Sequence, residues 1–254
     1  MTAPLGARPG PLAALGAVYA GQLSRARASR GPLLIVATVQ SVGILLLLRG
    51  VVDQGSAETA RQVVAGATVL VVAFVALNLL AQRFGLLRGS GGLDYYAALP
   101  VSAAAVVLGT AASYATFTVP GALLTAVVGS LLYSLPLSHL WILVVVLPLA
   151  GAALAGAGAC LGLLPSRAEL ATTAGQLGMT AVLFLGIIPA HRLPAVLRPL
   201  RAVMPSTAAT DALARALAAR PDWSRIGVDL VAGLAVAVLA LALATWAFRR
   251  AART

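Results

Sequence analysis

From Val63 to Ala81 no side chain carries a charge, and runs of the same character recur along the whole chain. A helix rises about 1.5 Å per residue and bilayer hydrocarbon is about 30 Å thick, so roughly 20 apolar residues make one crossing. Polar side chains are too scarce to clothe a water-facing surface. Of the 254 residues 60% are hydrophobic and 10% are charged, against about 25% charged in a typical soluble domain. With a mean hydropathy of +0.97, the chain reads as an all-α, polytopic membrane protein.

Six runs have the length for a crossing, with approximate bounds 32–49, 63–81, 102–132, 140–164, 170–189 and 228–248, in a single membrane domain over 1–254. Gly31-Pro32 opens the first run, where proline suits a first helical turn, and Pro120 and Pro148 interrupt the third and fourth. Before the first run, Leu12, Leu15, Val18, Tyr19 and Leu23 recur at helical spacing, followed by Arg25, Arg27 and Arg30. Two readings stand: an amphipathic helix in the headgroup layer, or a solvated basic tail. Residues 1–31 lack the short apolar core and cleavage site of a signal and are expected to remain in the mature protein. Between the second and third runs, residues 83–100 are mixed and glycine-rich, and no crossing is expected there.

The formal charge of +11 comes from arginine alone, since the chain has no lysine. These arginines sit at the ends of apolar runs, where they meet lipid headgroups; that placement speaks against nucleic acid. With six crossings both termini share one side, and the arginine excess of the tails and first loops places that side in the cytoplasm. The last external loop breaks the rule with Arg192, Arg198, Arg201, Arg215, Arg220 and Arg225. Two short amphipathic helices would reconcile it by setting these arginines among outer-leaflet phosphates. The first would carry Val196, Leu197, Leu200, Val203 and Met204 on one face, with Arg198 and Arg201 on another; the second, capped by Ser206 or Thr207, would carry Leu213 and Leu217. A miscounted span is the other explanation.

Several chemistries are excluded. A nucleotide-hydrolysing P-loop needs a lysine that this chain lacks. His139 and His191 are isolated, and Cys160 is the lone cysteine, so no zinc site and no internal disulfide is expected. Ionisable groups are missing from the middles of the runs, which argues against proton- or ion-coupled transport. The uncharged polar residues there include Gln40, Asn78 and Gln176, read either as interhelical hydrogen-bond partners or as the lining of a translocation path. Gly151, Ala155, Gly158 and Gly162 have the spacing of close helix packing. No catalytic, cofactor-binding or metal residue is assigned.

Three segments carry a resemblance. "RASRGPLLIVATVQSVGILLL" (27–47), "DYYAALPVSAAAVVLG" (94–109) and "LPAVLRPLRAVMPSTAATDALARAL" (193–217) resemble, in order and spacing, the first span entry, the cytoplasmic segment before the third span and the last external loop of ATP-binding-cassette type-2 permease subunits, a class that includes antibiotic and drug efflux permeases. The chain departs from the family in "SAAAVVLGT", which has alanines and a threonine where relatives often place basic residues.

The resemblance implies a permease subunit of an exporter in the bacterial plasma membrane. Its partners would be a separate cytoplasmic ATPase, which binds the ATP and Mg that this chain does not, and a second permease copy or homologue, all embedded in lipid. It also gives the wet segment before the third span a role, in which Asp94, Tyr95 and Tyr96 would meet the ATPase, and Leu99 and Pro100 would anchor the segment at the headgroups. Ordinary interfacial tyrosines are the plainer reading of Tyr95 and Tyr96. A membrane-embedded assembly or immunity factor without transport activity is the alternative from another class.

Overall fold

The computed structural model describes residues 10–52, 57–98, 101–188, 194–197, 199, 201 and 204–252. The architecture is a helical bundle, with no strand among the described residues. Six long helices form it: α1 (Pro11–Leu47), α2 (Ala57–Gly89), α4 (Ala103–Leu132), α5 (Leu137–Leu163), α6 (Ala168–Ile187) and α8 (Trp223–Ala251). Short helices between them include Arg49–Val52, α3 (Gly92–Ala98) and α7 (Thr207–Ala216).

Contacts at the helix ends fix the direction of each pass. At one end Gln22 of α1 meets Tyr96 of α3, Phe84 of α2 meets Phe248 of α8, and Arg88 of α2 meets the C-terminal carbonyls of α5. At the other, the Tyr133 hydroxyl just beyond α4 donates to the Leu45 carbonyl at 2.5 Å, Gln62 of α2 donates to the Gly186 carbonyl of α6 at 2.9 Å, and Trp141 stacks on Trp223. The six long helices therefore alternate in direction. Four of them, α2, α4, α5 and α8, are long and apolar enough to cross a membrane. The other two predicted spans are helical as well: α1 holds a shorter apolar stretch, Leu34–Leu47, and α6 has 20 residues.

The core is built on α2. Val64, Ala65, Ala67, Val69, Val71, Val72, Ala73 and Leu80 are fully buried, so the helix is apolar on all sides and enclosed on all sides. In lipid, helix association relies on close packing and not on expelling water, which favours small residues at contacts. Gly158 and Gly162 of α5 lie so near the Leu77 and Ala81 carbonyls of α2 that a Cβ at either would clash, and Gly85 stands in the same relation to Ala171 of α6. Gly151 meets Ala115 of α4. The predicted small-residue spacing in α5 is thus spent on packing.

Three boundaries differ from the sequence reading. Pro32 does not begin a helix; it lies inside α1, which runs unbroken from Pro11. Gly109, Gly121 and Gly129 of α4 abut Val18, Thr38 and Leu45 of α1 in turn. At about 1.5 Å per residue the stretch from Val18 to Thr38 spans about 30 Å, but the matching stretch of α4 only about 18 Å. The surplus length lies in the part of α1 that contains Pro32, where a proline bends a helix.

The second difference is that α2 continues to Gly89, beyond the expected end of the second run at Ala81. Tertiary contacts hold these turns: Phe84 is fully buried, and the Arg88 guanidinium donates to the Leu163 carbonyl and, at 2.9 Å, to that of Leu164, satisfying acceptors left open at the end of α5. The third concerns the last loop. Arg201 is only 6% exposed, turned into the protein and not set among outer-leaflet phosphates as expected. Ser206 stands at the N-cap of α7 without a side-chain cap, and the Thr207 hydroxyl donates instead to the Arg201 carbonyl at 2.5 Å. Leu213 and Leu217 are buried in the protein.

Candidate functional site

Three places in the bundle carry polar chemistry, beginning with the turn between α2 and α4. Gly91 takes φ = 70°, a left-handed conformation suited to glycine, and α3 starts at once behind it. Leu93 is buried against the bundle, and the Tyr96 hydroxyl accepts a hydrogen bond from the Gln22 amide at 3.1 Å. Tyr95 points away and is 63% exposed, its ring edge-on to Tyr96 at 5.6 Å. The two tyrosines therefore lie side by side in different settings, one tying α3 to α1 and the other largely exposed. Asp94 lies in α3, its side chain outside the described residues, as are Leu99 and Pro100. The Ser102 hydroxyl accepts from the Ala105 amide at 3.1 Å and starts α4.

The second place is the uncharged polar set Gln40, Asn78 and Gln176, which the structure does not bring together. Asn78 is buried in a π-helical segment of α2, Ala73–Leu79, where its carbonyl oxygen accepts from Gln82 at 3.1 Å and packs against Gly175 of α6. Gln40 of α1 and Gln176 of α6 are exposed. Gln176 has company, because Glu169, Thr173 and Thr180 are exposed on the same helix at spacings of four, three and four residues, a single face. Thr173 and Thr180 turn their hydroxyls back to the carbonyls of Glu169 and Gln176, at 2.9 Å each. That polar stripe, interleaved with the exposed Leu170, Leu177 and Phe184, distinguishes α6 from α8, whose exposed face is mostly aliphatic.

The third place, at the opposite end from α3, is not visible in the sequence reading. Arg201 grips Asp211 with both terminal nitrogens, at 3.0 and 2.5 Å, and its Nε donates to the Leu185 carbonyl at 3.0 Å. Gln62 bridges the same carboxylate at 3.5 Å and the Gly186 carbonyl at 2.9 Å, so α2, α6 and α7 meet in one network. Arg215 pairs with Asp229 of α8 at 2.5 Å. Two of the loop's arginines are thus paired with aspartates, Arg201 buried and Arg215 partly exposed. The available signal is the pair of aspartates, 211 and 229, among the loop arginines; sequence alone does not say which guanidinium each meets. Asp222 caps α8, accepting from the Arg225 amide at 3.2 Å and the Ser224 hydroxyl at 2.7 Å, and these bonds hold its carboxyl below the usual range.

No curated protein matches the sequence. A family model described as "ABC-2 family transporter protein" matches residues 25–246, nearly the whole chain and all six long helices at least in part. With an alternating all-helical bundle, four helices able to cross a membrane and a match of this extent, the chain belongs to the ABC-2 transporter family, as a membrane permease component and not the ATPase.

Proposed function

We propose that the chain is one of a pair of permease subunits of an ATP-driven exporter in the bacterial plasma membrane, crossing six times with both termini in the cytoplasm. ATP and Mg belong to a separate cytoplasmic ATPase that engages the α3 end, with Tyr95 as the outward contact and Tyr96 as the tie that carries its movement into α1. The observation that carries this reading is the polar stripe on α6. Thr173, Gln176 and Thr180 are exposed on a helix that the six-pass arrangement sets at hydrocarbon depth, where an uncompensated amide in lipid is costly. Facing a second membrane subunit and a shared hydrated path, the same stripe would be solvated. Gln40 on α1, which packs on α2 as α6 does, extends that requirement to a neighbouring helix.

The test is a cysteine at Gln176 in a Cys160→Ala background, treated with a short bifunctional thiol reagent in native membranes. A cross-linked dimer is expected from Gln176→Cys and none from Leu239→Cys on the aliphatic face of α8; the reverse pattern would sink the paired arrangement. For coupling, Tyr95→Ala should lower substrate-stimulated ATP hydrolysis by the co-purified complex while leaving insertion intact. Unchanged turnover would remove the contact. Thiol labelling from outside intact cells at Arg220→Cys checks orientation, since labelling only after lysis would invert the topology.

A further inference from the structure

At the end of the bundle away from α3 lies an open cavity of about 320 Å³. Five guanidinium groups converge on it, from Arg61 of α2, Arg201, Arg215 of α7, Arg220 and Arg225 of α8. The lining carboxylates are Glu58, Asp211 and Asp222, and Asp229 stands behind Arg215, so among the described residues five cations meet four anions, an excess of one positive charge. Arg201 and Arg215 are committed to short pairs, and Arg225 approaches Asp222 at 3.4 Å on an exposed surface. Arg61 and Arg220 have no ion pair among the described residues. Two forked donors around a residual positive charge are the chemistry that recognises a phosphate ester. The buried Arg201–Asp211 pair, bonded to Gln62, fixes the wall from which α2 and α7 present their charges.

Depth points to the source of the phosphate. Trp223 follows the cavity-lining Asp222 directly and stacks on Trp141 with ring centroids 5.4 Å apart, both rings about half exposed. Tryptophans of this kind collect at the headgroup layer. The exposed Val196 and Leu197 of the last loop add apolar surface at the same end. The cavity is also large for a single ion: at about 30 Å³ per water, it holds the volume of roughly ten waters.

We propose that this cavity is a phosphate-recognising site, filled by the headgroup of an anionic phospholipid of the outer leaflet, with Arg61 and Arg220 as the principal donors. The lipid source rests on the six-pass orientation given above; the phosphate chemistry does not, and no second subunit or transport is needed for it. In mixed dodecyl maltoside micelles, native mass spectrometry of the full chain should retain phosphatidylglycerol in preference to phosphatidylcholine. Arg61→Gln with Arg220→Gln should weaken that retention by roughly tenfold or more, the worth of lost charge-assisted bonds, while Arg249→Gln with Arg250→Gln at the opposite end changes nothing. Should the glutamine pair fail to fold, Arg61→Lys with Arg220→Lys keeps the charge but not the fork and is expected to fall between.

Equal retention of both lipids, an unaffected glutamine pair, or an equal loss in the Arg249/Arg250 variant would overturn the site. Retention of inorganic phosphate in place of phosphatidylglycerol, lost in the same pair, would overturn the lipid assignment and leave a soluble phosphate ester as the ligand. Binding of phosphatidylglycerol by a chain that forms no cross-linked pair would uphold this site while removing the exporter reading.

Discussion

Helices α2 and α8 reach the same mean hydropathy, 2.5 over their most apolar 18 residues, yet 89% of that window is buried in α2 and 17% in α8. Hydropathy alone thus says nothing about which helix is central. In water it would, because burial follows aversion to the solvent; lipid tails are as apolar as leucine, so that drive vanishes. Side-chain size does the sorting. The protein-facing side of α8 is mostly small, with Gly233, Ala237, Ala244, Ala247 and Ala251 beside Ile226 and Phe248, while Val228, Val231, Leu234, Val238, Leu239 and Leu243 face outward. Small residues let backbones approach, and large aliphatic ones are left to the lipid.

The contrast can be broken at five points, in falling order of effect, each measured as unfolding free energy in mixed detergent. Asp211→Ala strands the Arg201 guanidinium at the Gln62 end of α2 and should cost about 3–5 kcal/mol, the usual loss for one half of a buried pair. Leu80→Ala, at a fully buried position of α2, should cost about 2–5 kcal/mol. For Gly158→Ala the added methyl meets the Leu77 carbonyl, and overpacking should cost about 1–3 kcal/mol. Arg215→Ala removes the corresponding pair at α8; that side chain is 39% exposed, and the loss should stay below about 1 kcal/mol. Leu239→Ala on the outer face of α8 should fall within about 0.5 kcal/mol. If Leu239 costs as much as Leu80, the aliphatic face of α8 meets protein and not lipid, and the size rule fails for this chain.

The six long helices are legible in the sequence because uncharged runs of sufficient length have few other uses, and the segment between the second and third runs is legible through its turn residues. Interior order is not, for the reason α2 and α8 illustrate. Gly89 cannot be read as the end of α2 because its last turns depend on Arg88 reaching across to α5, a long-range bond with no local signature. Pro32 reads as a beginning because proline at a first turn and proline at a bend look alike until the preceding residues find a partner, here α4. The inward turn of Arg201 is hidden for a related reason: an arginine among apolar residues reads as exposed until its aspartate is placed in space. Among the site residues, the exposed setting of Gln176 gains meaning only beside Thr173 and Thr180, a periodicity present in the sequence but indistinct beside Thr172 and Gly175.

The wide-turned stretch Ala73–Leu79 in the middle of α2 has a consequence for how this chain can change length. Removing one residue from a regular helix rotates everything beyond the gap by about 100°, which here would swing either Gln62 or Arg88 away from its anchor. A π segment already holds one residue more than regular turns require. It is therefore the place where α2 can drop a single residue and keep both of its fastened ends in register.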